Sequence, residues 1–157
     1  MLQGHVETDA LRDAFGVFPS GVVAVAGVVD GDVTGLAVSA FASVSLSPPL
    51  VAVFIRDDSL TWPKLRTASA LGVSVLREGH GDLARQLAGP VAQRFDGVRL
   101  VGRVPVLFDA AARFQVTIES EIPAGDHTLV LLRVVDAEVV EGTAPLIFHR
   151  SGFATLR

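Results

Sequence analysis

A segment of small and hydroxyl-bearing residues, from Gly35 to Leu50, is the part of this sequence best suited to hold a flat ligand. It begins with the period-2 alternation of a strand and ends in a double proline, Pro48-Pro49, which is expected to stop ladder pairing. A core strand normally fills such positions with bulky side chains. Small residues here leave the backbone N–H groups and the hydroxyls open to a planar ring, although a strand running into a polar loop explains the same pattern. The small residues are Ser39, Ala40, Ala42, Ser43 and Ser45.

His127 is the histidine best placed for chemistry, because it follows Gly125-Asp126 at the start of an expected strand. A turn at this point can aim the imidazole across the mouth of a cavity, where it can bond a ligand or exchange a proton. A turn histidine bonded to a backbone carbonyl is the alternative. His5 and His80 are expected to be exposed to solvent. No local spacing of histidines and carboxylates suits a metal ion, so no metal is expected.

Two common phosphate-binding motifs are absent from the sequence. No Walker-type glycine-rich loop occurs, and no G-x-G-x-x-G opens a helix after a strand. A nicotinamide nucleotide, if one is used, is therefore not held in a Rossmann crevice and has to lie against a second bound cofactor. Cysteine and tyrosine are both absent, which excludes disulfides, thiolate ligands and a phenolic general acid.

Length and composition predict one domain over residues 1–157 with a substantial core. Half of the residues are hydrophobic, so part of the apolar surface is expected in a subunit interface. The net charge of −4 and the scattered Lys and Arg argue against nucleic acid. The longest apolar stretch, Val22–Val29, is far shorter than the ~20 residues of a membrane span. Residues 1–10 lack an apolar signal core, so a cytoplasmic location is expected.

Hydrophobic periodicity and turn residues predict many strands and a few short helices. One helix, capped by Thr8, has an apolar face of Leu11, Ala14 and Phe15. Further helical segments are predicted after Thr61 to about Ala68, over Asp82–Leu87, and as a turn at Val91–Phe95. The predicted strands are Val22–Val29 and Val33–Ser39 around Asp30-Gly31-Asp32, then Leu50–Ile55, Ala70–Leu76, Phe114–Ile122, Thr128–Val140 and Leu146–His149. Because parallel βαβ alternation is missing, the pattern favours a closed or partly closed antiparallel barrel.

Four segments in this order resemble the flavin reductase-like family of FMN-binding split barrels. They are Phe15–Val22, Gly35–Leu50, Gly125-Asp126-His127 and His149–Phe153, and the likeness runs from about Leu11 to Phe153. The resemblance implies a mainly β fold, an antiparallel Greek-key split β-barrel with a few short helices. It also implies an NAD(P)H-dependent flavin reductase with FMN or FAD as flavin and NADH or NADPH as co-substrate.

The same resemblance implies roles for individual residues. Val38, Ser39, Ala40 and Phe41 would run along the edge of the isoalloxazine ring, and Ser43 and Ser45 would face the ribityl chain or the phosphate. Many relatives carry a threonine where this chain has Ala37, so here the backbone alone serves that position. His127 would lie beside the flavin and the nicotinamide, with Asp126 orienting the loop or the ring tautomer. His149, next to Arg150, would lie near the flavin or the partner subunit, and a structural role is equally consistent with its position.

A flavin phosphate needs hydroxyls, N–H groups and a cation, and two places offer them. The segment Arg56–Thr61 leads into a predicted helix start, which favours anions, whereas Asp57 and Asp58 oppose an anion unless they point outward. The family places hydroxyls and a basic residue here, which implies Ser59, Thr61 and Lys64; an ordinary N-cap at Thr61 is the alternative. In Gln93-Arg94-Phe95, which matches the family's basic-Phe pair, Arg94 is either a phosphate ligand or a plain surface arginine.

The leading hypothesis is a homodimeric reductase that binds flavin loosely and releases it reduced to a separate flavin-dependent monooxygenase. One alternative keeps the fold but holds FMN tightly for use as an oxidase. A second alternative is a non-enzymatic barrel that binds a small ligand or an oligonucleotide. The acidic charge balance and the 6% aromatic content argue against the oligonucleotide.

Overall fold

The computed structural model describes residues 6–156, and within that range it is built mainly from antiparallel strands. The helices are α1 (Thr8–Gly16), α2 (Trp62–Leu65) and α3 (Gly81–Leu87), with a 3₁₀ turn at Val91–Gln93. The strands are β1 (Val23–Val29), β2 (Asp32–Val38), β3 (Phe41–Leu46), β4 (Pro49–Arg56), β5 (Leu71–Val75), β6 (Leu100–Val101), β7 (Val106–Leu107), β8 (Ala112–Ala124), β9 (His127–Val139), β10 (Ile147–His149) and β11 (Gly152–Ala154).

Seven of these strands form one sheet in the order β2-β1-β5-β8-β9-β4-β3. The two edge strands, β2 and β3, follow each other in the chain and are joined by only two residues, Ser39 and Ala40. A flat sheet would separate its edges by six strand spacings, about 29 Å, whereas the link from Val38 to Phe41 spans at most about 11 Å. The sheet therefore curls until its edges meet at the Ser39–Ala40 link.

The main hydrophobic core lies on the inner face of this curled sheet. Six of its seven strands contribute buried side chains, and Trp62 and Leu65 of α2 pack against the same cluster. On β1, Val23 and Val25 belong to this core, while Ala24 belongs to a second core with Leu87 of α3. Alternate side chains of a strand point to opposite faces, so β1 separates the inner core from the outer one.

Two glycines allow segments to approach this sheet closely. A Cβ at Gly35 would overlap the Val25 carbonyl and lie 2.8 Å from Cζ of Phe95. A Cβ at Gly72 would overlap the Pro105 carbonyl. The first glycine lets the segment after the 3₁₀ turn pack on β2, and the second lets the β6–β7 region pack on β5.

The prediction of a mainly β, antiparallel fold with few short helices is confirmed. The β1–β2 hairpin turns at Asp30 and Gly31, both with positive φ, as this pair predicts. The double proline does not stop pairing, because Pro49 begins β4 and pairs with Leu46 of β3. A proline is tolerated at the first residue of a strand. The residues after Leu46 are thus a hairpin turn rather than the end of the ladder.

Helix α2 ends at Leu65 rather than near Ala68. The Thr67 hydroxyl donates to the Lys64 carbonyl at 2.7 Å, and the backbone N–H of Thr67 also turns back to this carbonyl. These bonds give the free carbonyl at the end of the helix its partners through turns that are tighter than an α-helical turn. Thr8 begins α1 but does not cap it, since Glu7 occupies the cap position without a side-chain bond.

His80 is buried, so the expectation that it is exposed is wrong. Its Nδ1 accepts the Arg77 backbone N–H at 3.1 Å, and its Nε2 lies 3.2 Å from Oδ2 of Asp109. Burial alone raises the pKa of Asp109, but the hydrogen bonds and charges of His80 and Arg77 outweigh it and leave this pKa below its ordinary value. His5 lies outside the described residues.

The expected apolar face of α1 is not covered by residues 6–156. Phe15 is 71% exposed and Phe18, just after the helix, is 80% exposed.

Among residues 6–156, every helix is too short or too polar to cross a membrane.

Candidate functional site

A cleft of about 400 Å³ opens where the Ser39–Ala40 link, the end of β4 and the start of β9 come together. This volume falls within the range of small-molecule sites. Its walls come from four parts of the chain that are far apart in sequence. They are the end of β2 with the link (36–40), the end of β4 with the following loop (54–56 and 58–61), the segment after α3 (Val91 and Arg94), and His127.

The Ser39–Ala40 link forms one wall and presents mostly backbone. The Ala40 carbonyl accepts the Phe54 N–H at 3.1 Å, which ties the link to β4. The N–H groups of Ser39 and Ala40 lie outside both strand ladders and have no acceptor within residues 6–156. Both side chains are small and exposed. A flat ring can therefore approach this link edge-on and accept hydrogen bonds from it.

The loop after β4 forms another wall and carries two hydroxyls. It begins with a turn in which the Ser59 N–H donates to the Arg56 carbonyl at 3.1 Å. Ser59 Oγ accepts the N–H groups of Thr61 at 3.3 Å and Trp62 at 3.2 Å. Ser59, rather than Thr61, therefore supplies the side-chain oxygen at the start of α2. Because a hydroxyl oxygen that accepts these bonds keeps its own hydrogen, Ser59 retains a donor that is free to turn toward the cleft.

Arg94 lines the cleft and donates to three oxygens of the protein. Its Nε donates to the Gly89 carbonyl at 2.9 Å, and its Nη1 donates to the Gly35 carbonyl at 3.0 Å and to Thr61 Oγ1 at 2.9 Å. Thr61 is buried, and its hydroxyl hydrogen is left to donate elsewhere. Burial lowers the pKa of Arg94. Arg94 therefore ties β2 to the loop after β4 and orients the Thr61 hydroxyl as a donor.

An exposed ion pair, Arg56 with Asp58, stands on the same loop. Nε and Nη2 of Arg56 donate to the two carboxylate oxygens of Asp58 at 2.9 and 2.8 Å. The hydrogen bond from Arg56 holds the pKa of Asp58 below its ordinary value. Asp57 turns to the neighbouring strand, where its carboxylate accepts the Thr128 hydroxyl at 2.8 Å. Only one of the two acidic residues, Asp58, thus lines the cleft.

His127 is the first residue of β9 and pairs in register with Arg56, the last residue of β4. Its Nδ1 lies 2.7 Å from Oδ1 of Asp126, and its side chain is 39% exposed. The hydrogen bond with His127 lowers the pKa of Asp126. Since an ionised carboxylate only accepts, His127 Nδ1 carries the proton of this bond. Nε2 is then the ring nitrogen left for a ligand in the cleft.

The structure brings together seven of the residues that the sequence singled out. They are Val38, Ser39, Ala40, Ser59, Thr61, Arg94 and His127.

The other seven do not line the cleft. Phe41 packs in the inner core with its ring centroid 6.2 Å from that of Phe114, and Phe95 packs in the outer core against Gly35. His149 Nε2 is 3.1 Å from the Val17 carbonyl. The remaining four occupy β3, α2 and the β8–β9 turn: Ser43, Ser45, Lys64 and Asp126.

Sequence reasoning missed other parts of the cleft. Leu60 on its rim is 92% exposed and Val91 is 57% exposed. Sequence reasoning named Arg56–Thr61 as a segment that favours an anion, but it did not predict that Arg56 pairs with Asp58 two residues later. The side chains at the end of β4, Phe54 and Ile55, give no polar signal in the sequence.

The donor set of the cleft suits a planar, phosphorylated ligand. Backbone N–H groups stand on one wall, and on another stand two hydroxyls, one of them held by Arg94. Hydroxyl and arginine donors are the usual partners of phosphate oxygens. Within residues 6–156 no cluster of three or more His, Asp or Glu residues suited to a metal occurs.

Residues 15–157 match the model of the family described as "Flavin reductase like domain". The chain is 37% identical over 152 residues to a probable flavin reductase of Rhizobium meliloti; the alignment covers 94% of this chain and 49% of that relative, so the chain spans about half its length. It is 34% identical to the reductase component of 4-hydroxyphenylacetate 3-monooxygenase from Thermus thermophilus, with 94% of this chain and 96% of the relative covered.

Among solved structures, the chain is similar to the NADH:FAD oxidoreductase SgcE6 of Streptomyces globisporus C-1027 in complex with NAD and FAD fragments. The TM-score is 0.89 at 30% identity, and the match covers 99% of this chain and 98% of that chain.

Proposed function

The chain belongs to the flavin reductase-like domain family, and from this premise we propose that it reduces a free flavin with a nicotinamide nucleotide. The flavin is FMN or FAD, and the reductant is NADH or NADPH. Flavin supplies the electron-accepting ring, which takes a hydride from the nicotinamide. The protein supplies a binding cleft, a fixed stacking geometry and one ionisable side chain near the reacting atoms.

The observation that carries this proposal is the division of donors between the two walls of the cleft. On one wall, the unpaired N–H groups of Ser39 and Ala40 bind the edge of the ring. On the other, the hydroxyls of Ser59 and Thr61 donate to the flavin phosphate, and Arg94 holds Thr61 in place. A ligand with a flat ring and a phosphorylated tail can use both sets of donors at once.

His127 holds the nicotinamide in this proposal. Asp126 fixes its Nδ1 proton, so Nε2 faces the second substrate. Hydride transfer needs two rings stacked at a fixed distance more than it needs proton transfer. The cleft fits a reaction that needs little proton transfer. Among residues 6–156, His127 is its only histidine, and its two arginines are already bonded to other groups.

We extend the proposal to partners and location. The chain passes reduced flavin to a separate flavin-dependent monooxygenase, as the printed name of the Thermus relative describes for that protein. It acts in the cytoplasm as a homodimer of single-domain split barrels over residues 1–157. The exposed Phe15 and Phe18 support burial between two copies.

Steady-state oxidation of NADH and NADPH, each with FMN, FAD and riboflavin, tests the reaction. We expect flavin-dependent oxidation of the nucleotide and, without oxygen, loss of the absorbance of added flavin in excess over protein. Excess flavin left oxidised, with yellow colour remaining on the protein after gel filtration, would refute the diffusible-flavin reaction in favour of a tightly bound FMN oxidase.

A further inference from the structure

The two arginines that line the cleft differ in what holds them. Arg94 donates to three fixed oxygens of the protein, two of them backbone carbonyls, and cannot leave without breaking those bonds. Arg56 is held by a single partner, Asp58, and both side chains are about 70% exposed to solvent. Of these two arginines, only Arg56 can therefore change partner at little structural cost.

Arg56 and Asp58 stand close to the hydroxyls proposed to bind phosphate. The turn that joins Arg56 to Ser59 keeps the Cα atoms of these residues within about 7 Å of each other. Asp58 lies directly before Ser59 and lines the same cleft. A dianionic phosphate near Ser59 therefore meets a carboxylate as well as a guanidinium whose charge is already paired, with two of its five N–H groups donated to Asp58.

We propose that Asp58 sets the affinity for flavin by withholding Arg56 from the flavin phosphate. This inference rests on the proposed function and adds what determines flavin affinity. The bidentate pair makes the mouth of the cleft nearly neutral, so the phosphate is bound by hydroxyls and N–H groups without a free cation. Such weak binding lets the flavin leave after reduction, which a reductase serving a separate enzyme requires.

The test compares FMN with riboflavin, which has the same ring and no phosphate. Replacing Asp58 by Asn removes the carboxylate charge and leaves Arg56 free to pair with phosphate oxygens. We expect Asp58→Asn to bind FMN about tenfold more tightly, because one unit of positive charge is gained at contact distance from a dianion in a water-like dielectric. Riboflavin affinity should stay unchanged, and the gain for FMN should shrink at high salt.

Asp30→Asn is the matched control, because it removes the same charge elsewhere. Asp30 lies in the β1–β2 turn at the far end of the hairpin from the cleft, about 20 Å along β2 from Val38. Asn tolerates the positive φ of this position. This variant should bind FMN as the unmodified protein does. Arg56→Gln, which leaves Asp58 unpaired, should weaken FMN binding without affecting riboflavin.

Quenching of flavin fluorescence measures each dissociation constant on the full-length chain. An FMN-to-riboflavin affinity ratio in Asp58→Asn equal to that of Asp30→Asn would overturn the inference while leaving flavin binding intact. If the unmodified protein quenched neither flavin and oxidised no NADH with either, the proposed function would fall as well. The two failures are thus distinguishable in one series of titrations.

Discussion

Removal of the His127 side chain provides the sharpest test of the proposed nicotinamide site. The imidazole is partly exposed, and Asp126 fixes its Nδ1 proton, so Nε2 is available for one hydrogen bond with the second substrate. One such bond, together with the positioning it provides, corresponds to about 1.4–2.7 kcal/mol, or roughly 10–100-fold in kcat/KM. His127→Ala should therefore lower kcat/KM for NAD(P)H by this factor while flavin affinity changes little.

The assay is steady-state oxidation of NADH and NADPH at saturating flavin, combined with flavin titration and thermal unfolding. Asp126→Ala, which frees the ring to change tautomer, should give a smaller loss of the same kind. His149→Ala is the matched control, because His149 contacts the Val17 carbonyl rather than the cleft; it should lower Tm slightly and leave the kinetics intact. Unchanged kcat/KM in folded His127→Ala would refute the reasoning and move the nicotinamide contact to the backbone.

Three further predictions address the ring wall, the packing of the sheet and its response to acid. Ser39→Trp should abolish flavin quenching while circular dichroism stays native, because the indole fills the space beside the link; retained quenching would place the ring elsewhere. Gly72→Ala should destabilise the fold by about 1–3 kcal/mol in urea unfolding, because its Cβ overlaps the Pro105 carbonyl, whereas Gly21→Ala, with its nearest atom at 3.9 Å, should not. Glu121, whose pKa is lowered mainly by its hydrogen bond with Arg66, stabilises the fold above its unfolded pKa of about 4.5 and loses this effect as pH falls through the lower folded value. Glu121→Gln should therefore unfold more easily than the unmodified protein at neutral pH, and the difference should vanish in acid.

Local sequence patterns predicted the strands and turns that are determined by residues close together in the chain. Asp30-Gly31 gave the β1–β2 hairpin because this pair accepts positive φ, and the apolar run after Pro49 gave β4. The strand β3 was not predicted, since its small residues resemble a loop. Because β3 lies at the edge of the sheet and pairs only with β4, small residues are tolerated there.

Contacts between distant residues explain what the sequence could not predict. Arg94 bonds Thr61 across 33 residues, and His80 meets Asp109 across 29. No spacing in the sequence indicates either pair, so the sequence left Arg94 as either a phosphate ligand or a surface arginine and predicted an exposed His80. The Arg56–Asp58 pair is local, but its position on the cleft wall depends on the register of β4 with β9.

The insertion of β9 between β8 and β4 has a consequence for the folding kinetics. The cleft forms where the end of β4 meets the start of β9, and the neighbouring contact of Thr128 with Asp57 joins residues 71 apart in the chain. Closing so long a loop is slow, and hairpins such as β1–β2 form sooner. A nascent or refolding chain thus acquires its cleft only after the C-terminal hairpin has docked. A ligand that recognises this late-formed site retards unfolding and has little influence on the rate of refolding.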